Sequence, residues 1–170
     1  MPLFRESGVV EDPWTRLPDD AAVPADGMIL VSFARWREAR AALLARRGPV
    51  GVALANTDPV EALASDASRL DLITLHFPKF SDGRAYSQAR LLRERLGYQG
   101  ELRATGGVLQ DQLPFMLRCG FDSFESEQKG FGAALAKART LFSVVYQPTE
   151  DGRATAALLR LNRRNVKTTV

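Results

Sequence analysis

Short apolar runs alternate with amphipathic stretches along most of the chain. In "LFRESGVVEDPW" two such runs flank Ser7-Gly8, which predicts a β-hairpin that Asp12-Pro13 ends. "LPDDAAVPADG" is rich in Pro and Asp and reads as a loop. A regular rhythm then begins. "GMILVSF", "VGVALA", "DLITLHF", "GELRATG" and "FDSFES" have strand length. Between and after them come "ARWREARAALLARRG", "NTDPVEALASDASRL", "SDGRAYSQARLLRERLG", "VLQDQLPFMLRCG" and "EQKGFGAALAKARTLF", each read as a helix.

Local signals support several of these helices. Trp36, Ala39 and Leu43 share one face of the first, and Gly48-Pro49 stops it. Asp58, Pro59 and Glu61 suit the N-cap, N1 and N3 positions of the second. Ala85, Ala89, Leu92 and Leu96 form a buried stripe on the third, with Ser81 or Asp82 as cap and Gly97 as stop. Pro114 must lie in the first turn of the fourth, because deeper it costs about 3 kcal/mol. "SVVYQP" reads as a last edge strand, and the basic tail from Thr149 as disordered.

Strands that alternate with helices imply a parallel sheet with right-handed crossovers. The expected fold is a three-layer open α/β sheet of about five strands, flavodoxin-like, with an N-terminal hairpin. It forms one domain over residues 1–148, followed by the tail 149–170. The alternative is a partial (βα) barrel completed by a second copy, since five units are too few for a closed one.

Bulk properties narrow the function. The chain has 170 residues, about one domain, with 23 Lys+Arg against 20 Asp+Glu and a net charge of +3. That balance does not point to nucleic acid. The sole cysteine, Cys119, rules out an intrachain disulfide and fits a reducing, cytoplasmic setting. No apolar run approaches 18 residues, and the N-terminus lacks a signal-peptide core.

Ligands of a parallel α/β sheet bind beyond the carboxyl ends of its strands. The loop after the third parallel strand, "FPKFSDGR", and the loop after the fourth, Thr105-Gly106-Gly107, are therefore expected on one rim. Lys79, Arg84 and Arg103 supply cations there, and Ser81, Asp82 and Gly83 open the third helix. With Gly106, Asp111 and Gln112 they form a candidate anion site. The plainer reading makes Lys79, Arg93 and Arg95 solvated charges, Asp82-Gly83 a capping device and Gly106-Gly107 a turn. His76 has no triad partner at a recognisable spacing and reads as structural; Cys119 reads as a buried thiol. Convergent metal ligands are not visible, and neither are CxxC or iron–sulfur spacings. No cofactor is evident, and flavin enters only by analogy of fold.

The block from Phe77 to Glu125, "FPKFSDGRAYSQARLLRERLGYQGELRATGGVLQDQLPFMLRCGFDSFE", resembles a bacterial domain-of-unknown-function family, serial number nine-three-four. "EDPWTRL" and "FARW" extend the resemblance towards the N-terminus. Gly107 stands where the family commonly has an acidic residue. The family is typically encoded beside assimilatory sulfite reductase and is labelled a probable oxidoreductase. The resemblance therefore implies an accessory protein of sulfite reduction, docking on the reductase or a ferredoxin-type electron donor. It carries over no catalytic residues, so it decides neither for nor against an enzyme. Arg90, Arg93 and Arg95 are the expected docking cations for an acidic partner. The alternative is a small enzyme or sensor that binds an anionic metabolite or nucleotide at the rim.

Overall fold

The computed structural model describes residues 1–138, 140, 141, 155, 156, 158 and 160. The expected edge strand at 143–148 and most of the tail from 149 lie outside these residues. Eight strands form one mixed sheet: β1 (Leu3–Arg5), β2 (Gly8–Val10), β3 (Thr15–Arg16), β4 (Ile29–Ser32), β5 (Val50–Leu54), β6 (Leu72–Phe77), β7 (Glu101–Gly106) and β8 (Ser123–Glu125). Four α-helices accompany them among the described residues: α1 (Phe33–Leu44), α2 (Arg84–Arg90), α3 (Leu113–Arg118) and α4 (Phe131–Ala138).

The order across the sheet is β2-β1-β8-β7-β6-β5-β4-β3. From β3 to β8 neighbouring strands are parallel, whereas β1 lies antiparallel between β2 and β8. The parallel strands follow chain order without the reversal that defines a doubly wound sheet. Crossovers of one hand that always step the same way put the connecting helices on one face. The packing agrees. Trp36, Leu43, Ala85, Ala89, Leu92, Met116 and Leu135 from the helices join Val31, Val52, Ile73, Leu75, Leu102 and Phe124 from the strands in one core. Among the described residues the opposite face has only a small apolar cluster, Trp14 over Leu30 and Leu72. The flavodoxin-like, three-layer expectation is thus replaced by a curled mixed sheet with helices outside, close to the partial-barrel alternative.

Chain length forces the curl. β2 and β3 are the two edges, yet only residues 11–14 join them. Five Cα steps span at most about 18 Å. Eight strands laid flat would put the edges about 34 Å apart at ~4.8 Å per strand. The sheet must therefore bend until its edges approach, and residues 11–14 become a strap across its open side. Arg16 on β3 reaches Glu125 on β8 at 2.9 Å, although four strands lie between them. The open side that a second copy was expected to fill is spanned by the chain itself.

Other local features follow from identifiable contacts. Ser32 caps α1 by accepting the Arg35 N–H at 3.0 Å. The second expected helix is reduced to two 3-10 turns, Val60–Leu63 and Ala67–Arg69. Asp58 does not cap it; its carboxylate accepts the N–H of Ala55 instead. Asp66 is drawn to Arg40, which holds its carboxyl below the usual range. The third helix loosens into a π-turn at Leu91–Arg95 before Gly97, at φ +61°, ends it. Pro114 lies in the first turn of α3. The two-residue strand β3 lies within "EDPWTRL" and was not expected.

Trp14→Ala should lower unfolding stability by about 3 kcal/mol, the scale for truncating a buried aromatic. Urea denaturation followed by circular dichroism measures it, and an unchanged midpoint would show that the strap does not brace the sheet.

Candidate functional site

Strand alternation decides what the concave face presents. Cross-strand register aligns Leu30, Gly51, Leu72 and Glu101 in one row. The next row runs Ser32, Ala53, Thr74, Arg103 and Ser123. His76 and Thr105 form the row at the C-terminal end. Apart from Leu30 and Leu72 under Trp14, this inner surface is small or polar.

At its centre Arg103 is wholly buried. Its guanidinium donates to Asp12 at 2.8 Å, to Glu101 at 3.1 Å and to Glu125 at 3.4 Å. Arg5 and Ser123 also donate to Glu101, and Arg16 to Glu125. Burial works against the Arg103 charge and is the largest single influence on it; the bonds and charges of Asp12 and Glu101 together outweigh it and hold its pKa above the ordinary value. Three cations meet three carboxylates, so the cluster is neutral overall. The carboxylates converge on Arg103; among the described residues no group of His, Cys, Asp and Glu side chains could hold a metal ion. Asp12 lies in the strap, so the same contact pins the strap over the interior. Arg103 had been expected among the rim cations. It lies in mid-strand with its charge engaged inside the curl, so it offers no free charge to a rim ligand.

The two loops predicted to converge do so. The N–H of Gly107 donates to the Phe77 carbonyl at 2.7 Å. Gly106 has φ +85°, and a side chain there would run into the Phe77 carbonyl and the His76 ring. His76 is exposed at the mouth of the concave face, its Nδ1 3.3 Å from the Thr105 hydroxyl.

Side chains tie successive rim loops together. Asn56 after β5 donates to Asp82 after β6 at 2.7 Å. Gln112 after β7 donates to the Phe80 carbonyl at 3.1 Å. Gln110 donates to the Lys129 carbonyl and Gln128 to the Val108 carbonyl, joining the loops after β7 and β8. Gln88 on α2 donates to the Ala55 and Asp58 carbonyls, both at 2.9 Å.

Arg84 forks onto Asp82 at 3.0 and 2.7 Å, and this guanidinium is the main reason the Asp82 carboxyl falls to about 2. Gly83 is the residue before α2 and supplies no capping side chain. Lys79, Ser81 and Asp111 are exposed. The anion-site candidates other than Arg103 thus gather on one rim, with Arg84 and Asp82 already neutralising each other.

The docking cations separate. Arg90 pairs with Glu94 at 2.8 Å, and Arg95 is exposed. Arg93 does not join that face. It donates to the carbonyls of Tyr98, Gly100 and Gly120 and to Asp122, and it lies 5.3 Å from the Tyr98 ring centre. It is a clamp between loops, because three carbonyls converge where its side chain ends. Cys119 is buried, as expected. Tyr86, half-buried between Phe77 and Phe115, has its phenol pushed up to about 12, first by burial and then by Cys119 and Asp111.

The molecule is therefore an α/β protein with a strapped half-barrel sheet and a cross-braced rim of loops at the carboxyl ends of its parallel strands. The family model for bacterial proteins of unknown function, DUF934, matches residues 51–157, and the chain belongs to that family. No curated protein matches it. Among the described residues no helix is long and apolar enough to cross a membrane.

Two outcomes test this arrangement. Arg103→Met should destabilise the fold by about 3 kcal/mol, because it leaves Asp12 without its cation and Glu101 and Glu125 with only Arg5 and Arg16; a loss below about 1 kcal/mol in denaturant titration would show that the cluster does not need its cation. The Asp82 pKa is depressed, so its pairing with Arg84 contributes fully above about pH 4, the unfolded value. That contribution fades as pH falls towards about 2. An NMR titration of the carboxyl carbon checks it, and an Arg84→Gln variant should return the midpoint towards the ordinary value.

Proposed function

We propose that this chain is an accessory protein of assimilatory sulfite reduction that docks on the sulfite reductase or on its electron donor. The pathway comes from the resemblance of "FPKFSDGRAYSQAR" and the segments after it to a family encoded beside that reductase. The docking role rests on one observation: four successive rim loops are braced by side chains, Asn56 to Asp82, Gln112 to Phe80, and Gln110 and Gln128 to the neighbouring loop.

A rim fixed in this way suits recognition. A surface already held in its bound shape loses little conformational entropy on association. The residues of the resemblance divide accordingly. Phe77, Gln88 and Ala104 are buried and hold the loops, while Lys79, Phe80, Arg84 and Arg90 face solvent. A cytoplasmic setting belongs to the same proposal and agrees with a sole cysteine that is buried.

Deletion of the gene should slow growth on sulfite as sole sulfur source and leave growth on cysteine unchanged, with the wild-type copy restoring the rate. Equal growth of the deletion strain on sulfite would reject the proposal.

A further inference from the structure

We infer that the docking contact is an aromatic patch formed by Phe80 and Phe115 beside Tyr86, and that its partner is an acidic protein surface with an apolar centre. This inference rests on the accessory reading above and adds the site and the partner's chemistry.

Phe80 is 62% exposed and Phe115 45% exposed. Large apolar side chains are ordinarily covered, and exposed aromatics brought together mark protein contacts more often than scattered ones do. The segments that carry them are tied together through traceable links. Gln112, which holds the Phe80 carbonyl, immediately precedes α3, and Phe115 lies in the first turn of that helix. The Phe115 ring packs on Tyr86 of α2, with ring centres 4.9 Å apart. Tyr86 in turn rests edge-on against buried Phe77 at 5.1 Å. The patch is thus anchored to the core from beneath while its upper surface meets water. Rigid aromatic anchors on a braced base are the side chains that carry most of the energy in protein interfaces.

Charge identifies the partner. The exposed cations Lys79, Arg84, Arg90 and Arg95 outnumber Asp82, Glu94 and the exposed Asp111 beside Tyr86 by one. Arg84 and Arg90 are paired with those acids, but Lys79 has no charged partner among the described residues. Next to Phe80, it offers an ammonium to a carboxylate at the edge of the contact. A cation at the edge of an apolar centre speeds association with an acidic surface and makes binding weaken with salt.

Calorimetry with the full chain tests this, using the sulfite reductase and the ferredoxin-type donor of the same bacterium as the two probes. One probe should bind the wild-type chain, with affinity falling as salt rises. Phe80→Asp and Phe115→Asp should each weaken that binding at least tenfold, and Lys79→Glu several-fold with a flatter salt dependence. Phe80 lies in a loop and is mostly exposed, so Phe80→Asp should melt like the wild type and keeps the test valid if Phe115→Asp does not fold. Unchanged affinity in the Phe80 variant would overturn the patch and leave the accessory role standing. Failure of the wild-type chain to bind either probe would overturn both. Self-association that Phe115→Asp abolishes would assign the patch to a second copy and overturn the acidic-partner inference.

Discussion

A guanidinium sealed from water must be matched by carboxylates, and most of the interior is arranged to meet that demand. Arg103 sits in the middle of β7 with Asp12, Glu101 and Glu125 around it. Each carboxylate comes from a different part of the chain: the strap, the start of β7 and the end of β8. The cluster can be complete only if the sheet curls far enough to bring β3, β8 and the strap together. Removing Arg103 leaves Asp12 without a cation and Glu101 and Glu125 with one each, which costs more than losing an exposed pair. An ionic hub of this kind fits the curvature that the strap imposes.

The two faces of the sheet then have separate tasks. The outer face supplies the apolar core, because α1 to α4 pack there. The inner face carries the ionic hub and, towards the carboxyl ends, His76 and Thr105. Beyond it the braced loops hold Lys79 and Phe80 outward. Charge that looks alike in the sequence is therefore used in three ways: Arg103 inside the curl, Arg93 as a clamp on carbonyls, and Arg84 and Arg90 in surface pairs.

Much of the parallel framework is legible from the chain itself. The strand runs, the stripe Ala85-Ala89-Leu92, the stop at Gly97 and the position of Pro114 all follow from local rules and are found in place. The concave face was legible in part. "ELRAT" alternates Glu101, Arg103 and Thr105 with Leu102 and Ala104, a two-residue period that marks one polar side. Counted only as one strand of a three-layer sheet, it was expected to be covered on both faces. What no local rule supplies is long-range convergence. The carbonyls of Tyr98, Gly100 and Gly120 meet Arg93 only in the folded chain. Asp12 lies 91 positions from Arg103. β3, with two residues, is too short to announce itself.

The antiparallel seating of β1 also affects how the chain is made. Phe4 pairs with Phe124, so β1, already paired with β2, meets its second neighbour only after 120 further residues have been added. Until then β8 is missing and β7 has a bare edge, so the nascent sheet offers hydrogen-bonding groups to any other chain nearby. Such late closure is a high-contact-order step, slow relative to helix formation. Assembly of this fold in the cell is therefore sensitive to whatever occupies those edges before synthesis reaches residue 125.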